Sequence, residues 1–304
     1  MLPNFLVIGA PRSGTTWIDE NLRDHPSVHM ARMKETHFFD QNYHRGMAYY
    51  ESCFAGWKGE PAVGEATPDY LHGQYSAYDI PRLIRRHLPE VRLIASLRNP
   101  VDRVYSEFWN TKAKDARNAR LSFEAKLQSK PQFIREGFYY EHLRRFYDLF
   151  PAERILVLLY DDLVADPRAF MRRIYEFIGV DPGFRSSYET VRVNQARGKK
   201  LLARSQTLWH LSRALDRARL HGLAESVRRF NSVEIPAMDR STRERLIELY
   251  RPHNEKLAGL IGRDLSHWNR IDGPETTATT RLPAEGSRAT GAPASFSSPN
   301  GRSG

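Results

Sequence analysis

The segment from Gly9 to Thr16 combines small residues, hydroxyl groups and one cation in an order that suits anion binding. It follows a short apolar run, Phe5–Ile8, and precedes a stretch with helical spacing. In such a strand–loop–helix unit the loop amides point inward, and the helix dipole places partial positive charge at the same spot. Arg12 adds the only full positive charge of the loop. The sequence therefore predicts an anion-binding cradle at this loop.

A second group of residues able to do chemistry is Glu35 and His37, which lie just before Phe38 and Phe39. The two aromatic residues would form an apolar wall beside the polar pair. Partial desolvation there would raise the pKa of Glu35 and make its carboxylate a usable proton acceptor. Composition alone favours a different interpretation, in which a surface glutamate and histidine flank two phenylalanines of the core.

Strands and helices that must position these residues alternate along the chain. Apolar runs and helical spacing predict three further strands (28–30, 92–98, 154–160) and three helices (101–114, 137–150, 167–178). We expect Asp166 to cap the helix at 167–178, and Ser241 to cap a last helix that runs to Leu260. The alternation predicts a single α/β domain at residues 1–269, with a largely parallel sheet, helices on both faces and ligands at the carboxyl ends of the strands.

The whole composition narrows the classes of partner. A formal net charge of +10 on 304 residues suits acidic partners, such as nucleotide phosphates, an anionic glycan, nucleic acid or a lipid surface. The basic helical stretch at 204–230 could lie on an anionic membrane or line an acceptor groove, although an ordinary surface helix fits it better. Residues 270–304 are rich in Gly, Pro, Ala, Ser and Thr, so we expect a disordered C-terminal tail.

The same composition bears on the compartment. The single cysteine, Cys53, excludes a disulfide framework and a cysteine-only metal site, and it suits a reducing environment. No stretch approaches the roughly 20 apolar residues of a membrane span. The chain enters a strand almost at once, which leaves no place for a signal peptide. We therefore expect a cytoplasmic protein.

The glycine loop differs from a nucleoside triphosphatase loop at one position, because Thr15 stands where the Walker A motif has its lysine. The form P-[KR]-S-G-T-T-[WL] instead resembles the loop with which sulfotransferases hold the 5′-phosphosulfate of PAPS (3′-phosphoadenosine 5′-phosphosulfate). The resemblance implies a P-loop-type fold, with Arg12 as the catalytic cation. It implies donor contacts from Pro11, Arg12, Ser13, Gly14, Thr15, Thr16 and Trp17.

Residues Leu97–Phe108 match a second sulfotransferase pattern, L-R-[ND]-P-x-x-R-x-x-S-x-[FY], which binds the 3′-phosphate of PAPS. The match implies that Arg98 and Ser106 form this second site, at the opposite end of the donor from Arg12. An arginine at the end of a strand and a hydroxyl two turns into the next helix can converge on one phosphate. A basic loop at Arg197, Gly198 and Lys199 resembles the family's C-terminal loop over the nucleotide, although a solvated turn fits it equally well.

The segment around Glu35 resembles the E-x-H-F-F pattern of heparan sulfate-type sulfotransferases. The resemblance implies that Glu35 is the general base and that His37 is its neighbour and the alternative base. The segment Gly64–Leu71 resembles the family's G-E-K-[ST]-P-x-Y pattern, with Ala66 in place of the lysine. Either Arg12 or Lys34 supplies that charge instead, or the charge clamp is weaker. Lys34, which is next to Glu35 in the sequence, is the better candidate of the two.

The resemblance implies transfer of a sulfonate from PAPS to a hydroxyl, or an amine, of a carbohydrate or glycolipid, without a metal and without a nucleic acid partner. A peptide acceptor stays open, because the arginine-type loop also occurs in tyrosylprotein sulfotransferases. Two alternatives also remain. A nucleotide kinase or NTPase would place Asp161 or Asp162 on magnesium, and a non-catalytic glycan-binding protein would keep only the nucleotide fold.

Overall fold

A parallel sheet forms the centre of the protein in the computed structural model. Its strands are β1 (Phe5–Gly9), β2 (Val28–Met30), β3 (Ala62–Ala66), β4 (Arg92–Leu97) and β5 (Ile155–Leu159). They lie in the order β2–β3–β1–β4–β5, and every neighbouring pair is parallel. The carboxyl ends of all five strands therefore share one edge, which confirms the predicted fold class.

The helices are α1 (Thr15–Asp24), α2 (Gly46–Ser52), α3 (Ile80–His87), α4 (Pro100–Lys114), α5 (Phe123–Ser129), α6 (Gln132–Arg135), α7 (Tyr139–Tyr147), α8 (Tyr160–Ala165), α9 (Pro167–Ile178), α10 (His221–Phe230) and α11 (Arg240–Ile261). Strands β6 (Leu201–Ala203) and β7 (Ser232–Glu234) pair antiparallel. The structure describes residues 1–73, 76–114, 121–188, 201–203, 221–230, 232–234 and 236–271, and positions 208, 211, 212 and 215. The basic loop at 197–199 lies outside these residues, as do the tail from position 272 onward and much of the stretch 204–230.

Both faces of the sheet are covered, as the apolar run of β1 requires. Leu6 and Ile8 pack into one hydrophobic cluster, while Phe5 and Val7 pack into another on the opposite face. Alternate residues of a strand point to opposite faces, so a strand that is buried on both sides must be apolar at every position. No helix among the described residues is both long enough and apolar enough to cross a membrane.

Two helix starts test the predicted caps. Asp166 caps α9 as predicted, since its carboxylate accepts a hydrogen bond from the Ala169 amide at 3.0 Å. The prediction of Ser241 as the cap of α11 is wrong. The cap is Asp239, whose carboxylate accepts from the Thr242 amide at 3.0 Å and also from the Ser241 hydroxyl at 2.6 Å. A charged carboxylate two positions earlier is the stronger acceptor, so the helix begins before Ser241.

Candidate active site

A cleft of about 580 Å³ opens at the carboxyl edge of the sheet. Residues that follow β1, β2, β3, β4 and β5 all contribute to its wall. Six residues of the predicted donor loop line it, namely Pro11, Arg12, Gly14, Thr15, Thr16 and Trp17. Arg98, Ser106 and Glu35 line the same cleft. The structure thus brings together nearly all of the predicted site residues that it describes.

The loop after β1 is shaped to leave backbone amides available to a ligand. Among the described residues, no side chain caps the start of α1, and its first turn contains no acid. Uncapped amides together with the helix dipole favour an anion at this position. Gly14 has a φ of 87°, and a Cβ there would lie 2.7 Å from Leu163 Cδ2. The loop therefore requires glycine at this point.

Ser13 departs from the rest of the predicted loop. It is fully buried and does not belong to the cleft lining. Its carbonyl accepts a hydrogen bond from the Ser96 hydroxyl at 2.7 Å, and its amide donates to Ala10 at 3.3 Å. These contacts tie the loop to the neighbouring strand β4. In this structure Ser13 therefore shapes the loop rather than facing the cleft.

The two predicted phosphate sites adjoin one another in the cleft. Arg12 Nε donates to the Ser106 hydroxyl at 3.3 Å, and it lies 3.9 Å from Glu107 Oε2. Arg98 donates to the Arg12 carbonyl at 3.4 Å, and its guanidinium lies 4.8 Å from the centre of the Tyr160 ring. Strands β1 and β4 are neighbours in the sheet, so the loops that follow them are adjacent.

Electrostatics favour an anion beside Arg12. Burial lowers the pKa of Arg12, attraction to Glu107 opposes that shift, and the nearby charge of Arg98 lowers the pKa further. Burial and the charge of Arg98 thus both disfavour the charged form of Arg12, and a bound anion would stabilise that form. Two guanidinium groups, a hydroxyl and an uncapped helix start together fit a donor that carries two phosphate groups.

Glu35 lies in a small network of charged groups. It contacts Lys34 Nζ, and its Oε2 lies 3.5 Å from His37 Nε2. His37 Nδ1 is 2.8 Å from Asp40 Oδ2. Glu35 and His37 both adopt left-handed backbone conformations, with φ of 63° and 49°. Such angles are uncommon outside glycine.

The prediction of a raised pKa for Glu35 is wrong. The hydrogen bond from His37, which is the largest cause, and the contact with Lys34 together lower the pKa of Glu35 to about 2, and burial only partly opposes these effects. Hydrogen bonds to Asp40 and Glu35 raise the pKa of His37 to about 10. At neutral pH Glu35 is therefore an ionised acceptor and His37 is a charged donor. A protonated imidazole cannot accept a proton, which argues against His37 as the alternative base.

Three groups near this network were not recognised together from the sequence. The ligand-type atoms of His37, Asp40 and Asp69 lie within 4.8 Å of one another, and Asp69 lines the cleft. They are not recognisable as a metal-ligand cluster from the sequence, because they come from two separate loops with no recognisable spacing. His37 and Asp40 already share a hydrogen bond, so an ion at this position would have to displace a proton from His37.

Position 66, where the family pattern has a lysine, lies next to Glu35. Ala66 is buried, and its carbonyl accepts a hydrogen bond from the Glu35 amide at 3.2 Å. Lys34 Nζ lies against the Glu35 carboxylate. The replacement of the missing charge by Lys34 stays a prediction, because Lys34 does not belong to the cleft lining.

Asp161 and Asp162, the acidic pair after β5, both accept hydrogen bonds from other parts of the fold. Both oxygens of Asp162 accept hydrogen bonds from Arg263 at 2.9 Å. Asp161 Oδ2 accepts from Trp268 Nε1 at 2.8 Å. Neither aspartate belongs to the cleft lining. These pairings count against the magnesium-binding role that a kinase or NTPase would need.

Comparisons with known proteins agree with this geometry. The model of the sulfotransferase domain family matches residues 2–253. Heparan sulfate glucosamine 3-O-sulfotransferase 3B1 of Mus musculus is 27% identical over 270 residues, which cover 86% of this chain and 64% of that protein. Bifunctional heparan sulfate N-deacetylase/N-sulfotransferase 2 of Bos taurus is 28% identical over 284 residues, which cover 86% of this chain and 30% of that protein. The chain therefore spans less than two thirds of the length of these curated relatives.

A solved structure extends the similarity to the fold. The crystal structure of a sulfotransferase from Alicyclobacillus acidocaldarius superposes with a TM-score of 0.67 and 25% sequence identity. The match covers 89% of this chain and 100% of that chain.

Proposed function

This chain belongs to the family of PAPS-dependent sulfotransferases, and from that premise we propose that it transfers the sulfonate of PAPS to a hydroxyl group of a carbohydrate or glycolipid, with Glu35 as the general base. The observation that carries the proposal is the meeting of Glu35 with Arg12 and Arg98 in one cleft. The similarity to heparan sulfate sulfotransferases supports a glycan acceptor.

The loop after β1 has the groups that the donor's anionic end requires. PAPS supplies an activated sulfonate, whose bond to the 5′-phosphate oxygen breaks as the acceptor oxygen bonds to sulfur. Negative charge then grows on the departing phosphate oxygen. Arg12 and the uncapped amides of α1 are fixed beside that charge, so they stabilise the transition state more than the ground state. Arg98 and Ser106 hold the remaining phosphate of the donor.

Glu35 takes the proton that the acceptor hydroxyl loses. With a pKa of about 2, its carboxylate is ionised and can take up a proton, although it is a weak base until the acceptor substrate binds. A hydroxyl that inserts beside the carboxylate competes with His37 and Lys34 for it, and each hydrogen bond lost raises the pKa of Glu35. The hydroxyl also becomes more acidic as its oxygen bonds to sulfur, so proton transfer follows bond formation.

The experiment is incubation of the full chain with ³⁵S-labelled PAPS and a panel of glycans, glycolipids, phenols and tyrosine peptides. We expect label in a carbohydrate acceptor with the unchanged protein and little with Glu35→Gln, while both proteins bind adenosine 3′,5′-bisphosphate equally in calorimetry. Label in phenols or peptides alone would overturn the acceptor class. Equal transfer by Glu35→Gln would overturn the role of the base.

A further inference from the structure

Glu65, the fourth residue of β3, is a fully buried carboxylate at the back of the candidate active site. Its Oε2 accepts hydrogen bonds from the hydroxyls of Thr36 at 2.6 Å and Thr67 at 2.7 Å. Its Oε1 accepts from the hydroxyls of Tyr50 at 2.7 Å and Tyr70 at 3.1 Å. Burial raises the pKa of Glu65, and these hydrogen bonds oppose the rise. The carboxylate is thus surrounded by hydroxyl donors.

Three of these hydroxyls also accept hydrogen bonds from backbone amides that follow Glu35, and the first is that of Thr36, which accepts from the Phe38 amide at 3.3 Å. The Tyr70 hydroxyl accepts from the amide of Phe38 at 2.9 Å and from that of Phe39 at 3.3 Å. The Thr67 hydroxyl accepts from the His37 amide at 3.4 Å. Because each hydroxyl gives its proton to Glu65, its lone pairs are free to face these amides.

The backbone held in this way is the one that carries the candidate base. Glu35 and His37 have φ of 63° and 49°, conformations that non-glycine residues adopt at a cost in free energy. They persist only where the surrounding structure determines them. We propose that Glu65 is a positioning residue, which holds the segment 35–39 in this conformation through Tyr70 and Thr67 and so aims Glu35 into the cleft.

The four hydroxyl groups around position 65 all donate hydrogen bonds, so the side chain at this position must accept at both of its terminal atoms. A carboxylate can accept from all of these hydroxyls at once, whereas the amide of glutamine has a donor on one side. With Glu65→Gln, two hydroxyls on that side would have to turn and accept from the amide. The Tyr70 hydroxyl already accepts from two backbone amides, so it has no capacity for a third donor.

Tyr70 and Tyr50 provide a matched pair of test variants. Both rings are fully buried, and both hydroxyls donate to the same oxygen of Glu65. Only Tyr70 also accepts from the amides of Phe38 and Phe39. Tyr70→Phe and Tyr50→Phe therefore remove the same group from Glu65, but only Tyr70→Phe also removes a hydrogen-bond acceptor from the catalytic segment.

The first measurement is hydrogen exchange of the Phe38 and Phe39 amides in the full chain. We expect exchange of the Phe39 amide to accelerate about tenfold or more with Tyr70→Phe, since this buried amide loses its acceptor, and to stay nearly unchanged with Tyr50→Phe. The effect at Phe38 should be smaller, because its amide also donates to the Thr36 hydroxyl. Thermal denaturation of both variants serves as the control for general loss of stability. Equal exchange rates in the two variants would overturn the proposal.

The second measurement concerns catalysis and rests on the proposed role of Glu35. Tyr70→Phe and Glu65→Gln should lower kcat about tenfold or more with little change in KM for PAPS, because neither residue lines the cleft. Glu65→Gln added to Glu35→Gln should cause no further loss, since it acts through the same group. A further loss in the double variant would contradict positioning. If no acceptor is ever sulfated, the proposed function fails, while the exchange measurement still decides the role of Glu65.

Discussion

Arg12 Nε donates a hydrogen bond to the Ser106 hydroxyl at 3.3 Å, across the boundary between the loop after β1 and helix α4. The two residues lie far apart in the sequence, and each belongs to a different predicted phosphate site. Their contact means that the groups meant for the two phosphates of the donor are coupled even before a ligand binds. A phosphate at Ser106 would compete with Arg12 for the hydroxyl, or bind both.

We expect Ser106→Ala to weaken the binding of adenosine 3′,5′-bisphosphate. The variant removes one hydrogen bond to a charged phosphate and releases the Arg12 side chain from its position. The combined loss should be about 1–2 kcal/mol, or about 5- to 30-fold in Kd by calorimetry.

Thr111→Ala on the same helix is the control for Ser106→Ala. Its hydroxyl donates to the Phe108 carbonyl at 2.9 Å and does not line the cleft. Equal Kd values for Ser106→Ala and the unchanged protein would remove Ser106 from the donor site.

The meeting of Arg12 and Arg98 in one cleft could be predicted from the sequence, because the carboxyl ends of parallel strands share an edge. Their adjacency could not, since the order of strands in the sheet is not written in the local pattern. The strand order puts β1 beside β4, and that neighbourhood brings Ser106 to Arg12.

We expect His37→Gln to make the reaction sensitive to mild acid. The folded-state pKa of Glu35, about 2, lies below its ordinary value of 4.5. The stabilisation linked to this shift is therefore present above pH 4.5 and is lost as the pH falls through about 2. Loss of the His37 hydrogen bond, the largest cause of the shift, raises the pKa of Glu35 toward 4.5. The midpoint of the acidic limb of the kcat/KM profile should therefore shift to higher pH, toward 4.5.

The measurement is kcat/KM from about pH 3 to about pH 8 at saturating donor, a range that includes the expected shift. His44→Gln supplies the control, because His44 is an exposed histidine of the same region. Identical acidic limbs for His37→Gln and the unchanged protein would show that His37 does not set the pKa of Glu35.

The state of Glu35 shows where sequence reasoning reaches its limit. Phe38 and Phe39 are fully buried in the core and do not line the cleft, which agrees with the alternative interpretation of these two phenylalanines as core residues. The direction of the pKa shift depends instead on His37 and Lys34, which both lie against the carboxylate. Glu35 and His37 also have positive φ angles, and no local pattern in the sequence encodes them.

We expect Asp162→Asn to reduce stability without affecting the site. Its two hydrogen bonds to Arg263 join α8 to the turn after α11. Both side chains are about one third exposed, so the free energy of unfolding should fall by only about 0.5–1 kcal/mol in urea denaturation. Affinity for adenosine 3′,5′-bisphosphate should stay the same with magnesium or with a chelator. A loss of magnesium-dependent activity in this variant would favour the NTPase alternative.

Arg103 is the third polar position of the pattern that contains Arg98 and Ser106, yet the structure turns it away from the cleft. Its side chain is fully buried, and its Nη1 donates to Glu136 Oε2 at 2.7 Å. The guanidinium also donates to the Phe133 carbonyl. Arg103 thus fixes α4 against the segment around α6, and α4 carries Ser106.

We expect Arg103→Met to lower the free energy of unfolding by about 3–5 kcal/mol, because it leaves the buried carboxylate of Glu136 without its partner. Arg103→Met combined with Glu136→Gln should recover part of this loss, since the uncompensated charge is then gone. Urea denaturation measures both variants, and calorimetry below the unfolding transition tests whether donor affinity survives. A stable Arg103→Met variant with lost donor affinity would contradict the structural role and would place Arg103 among the donor contacts.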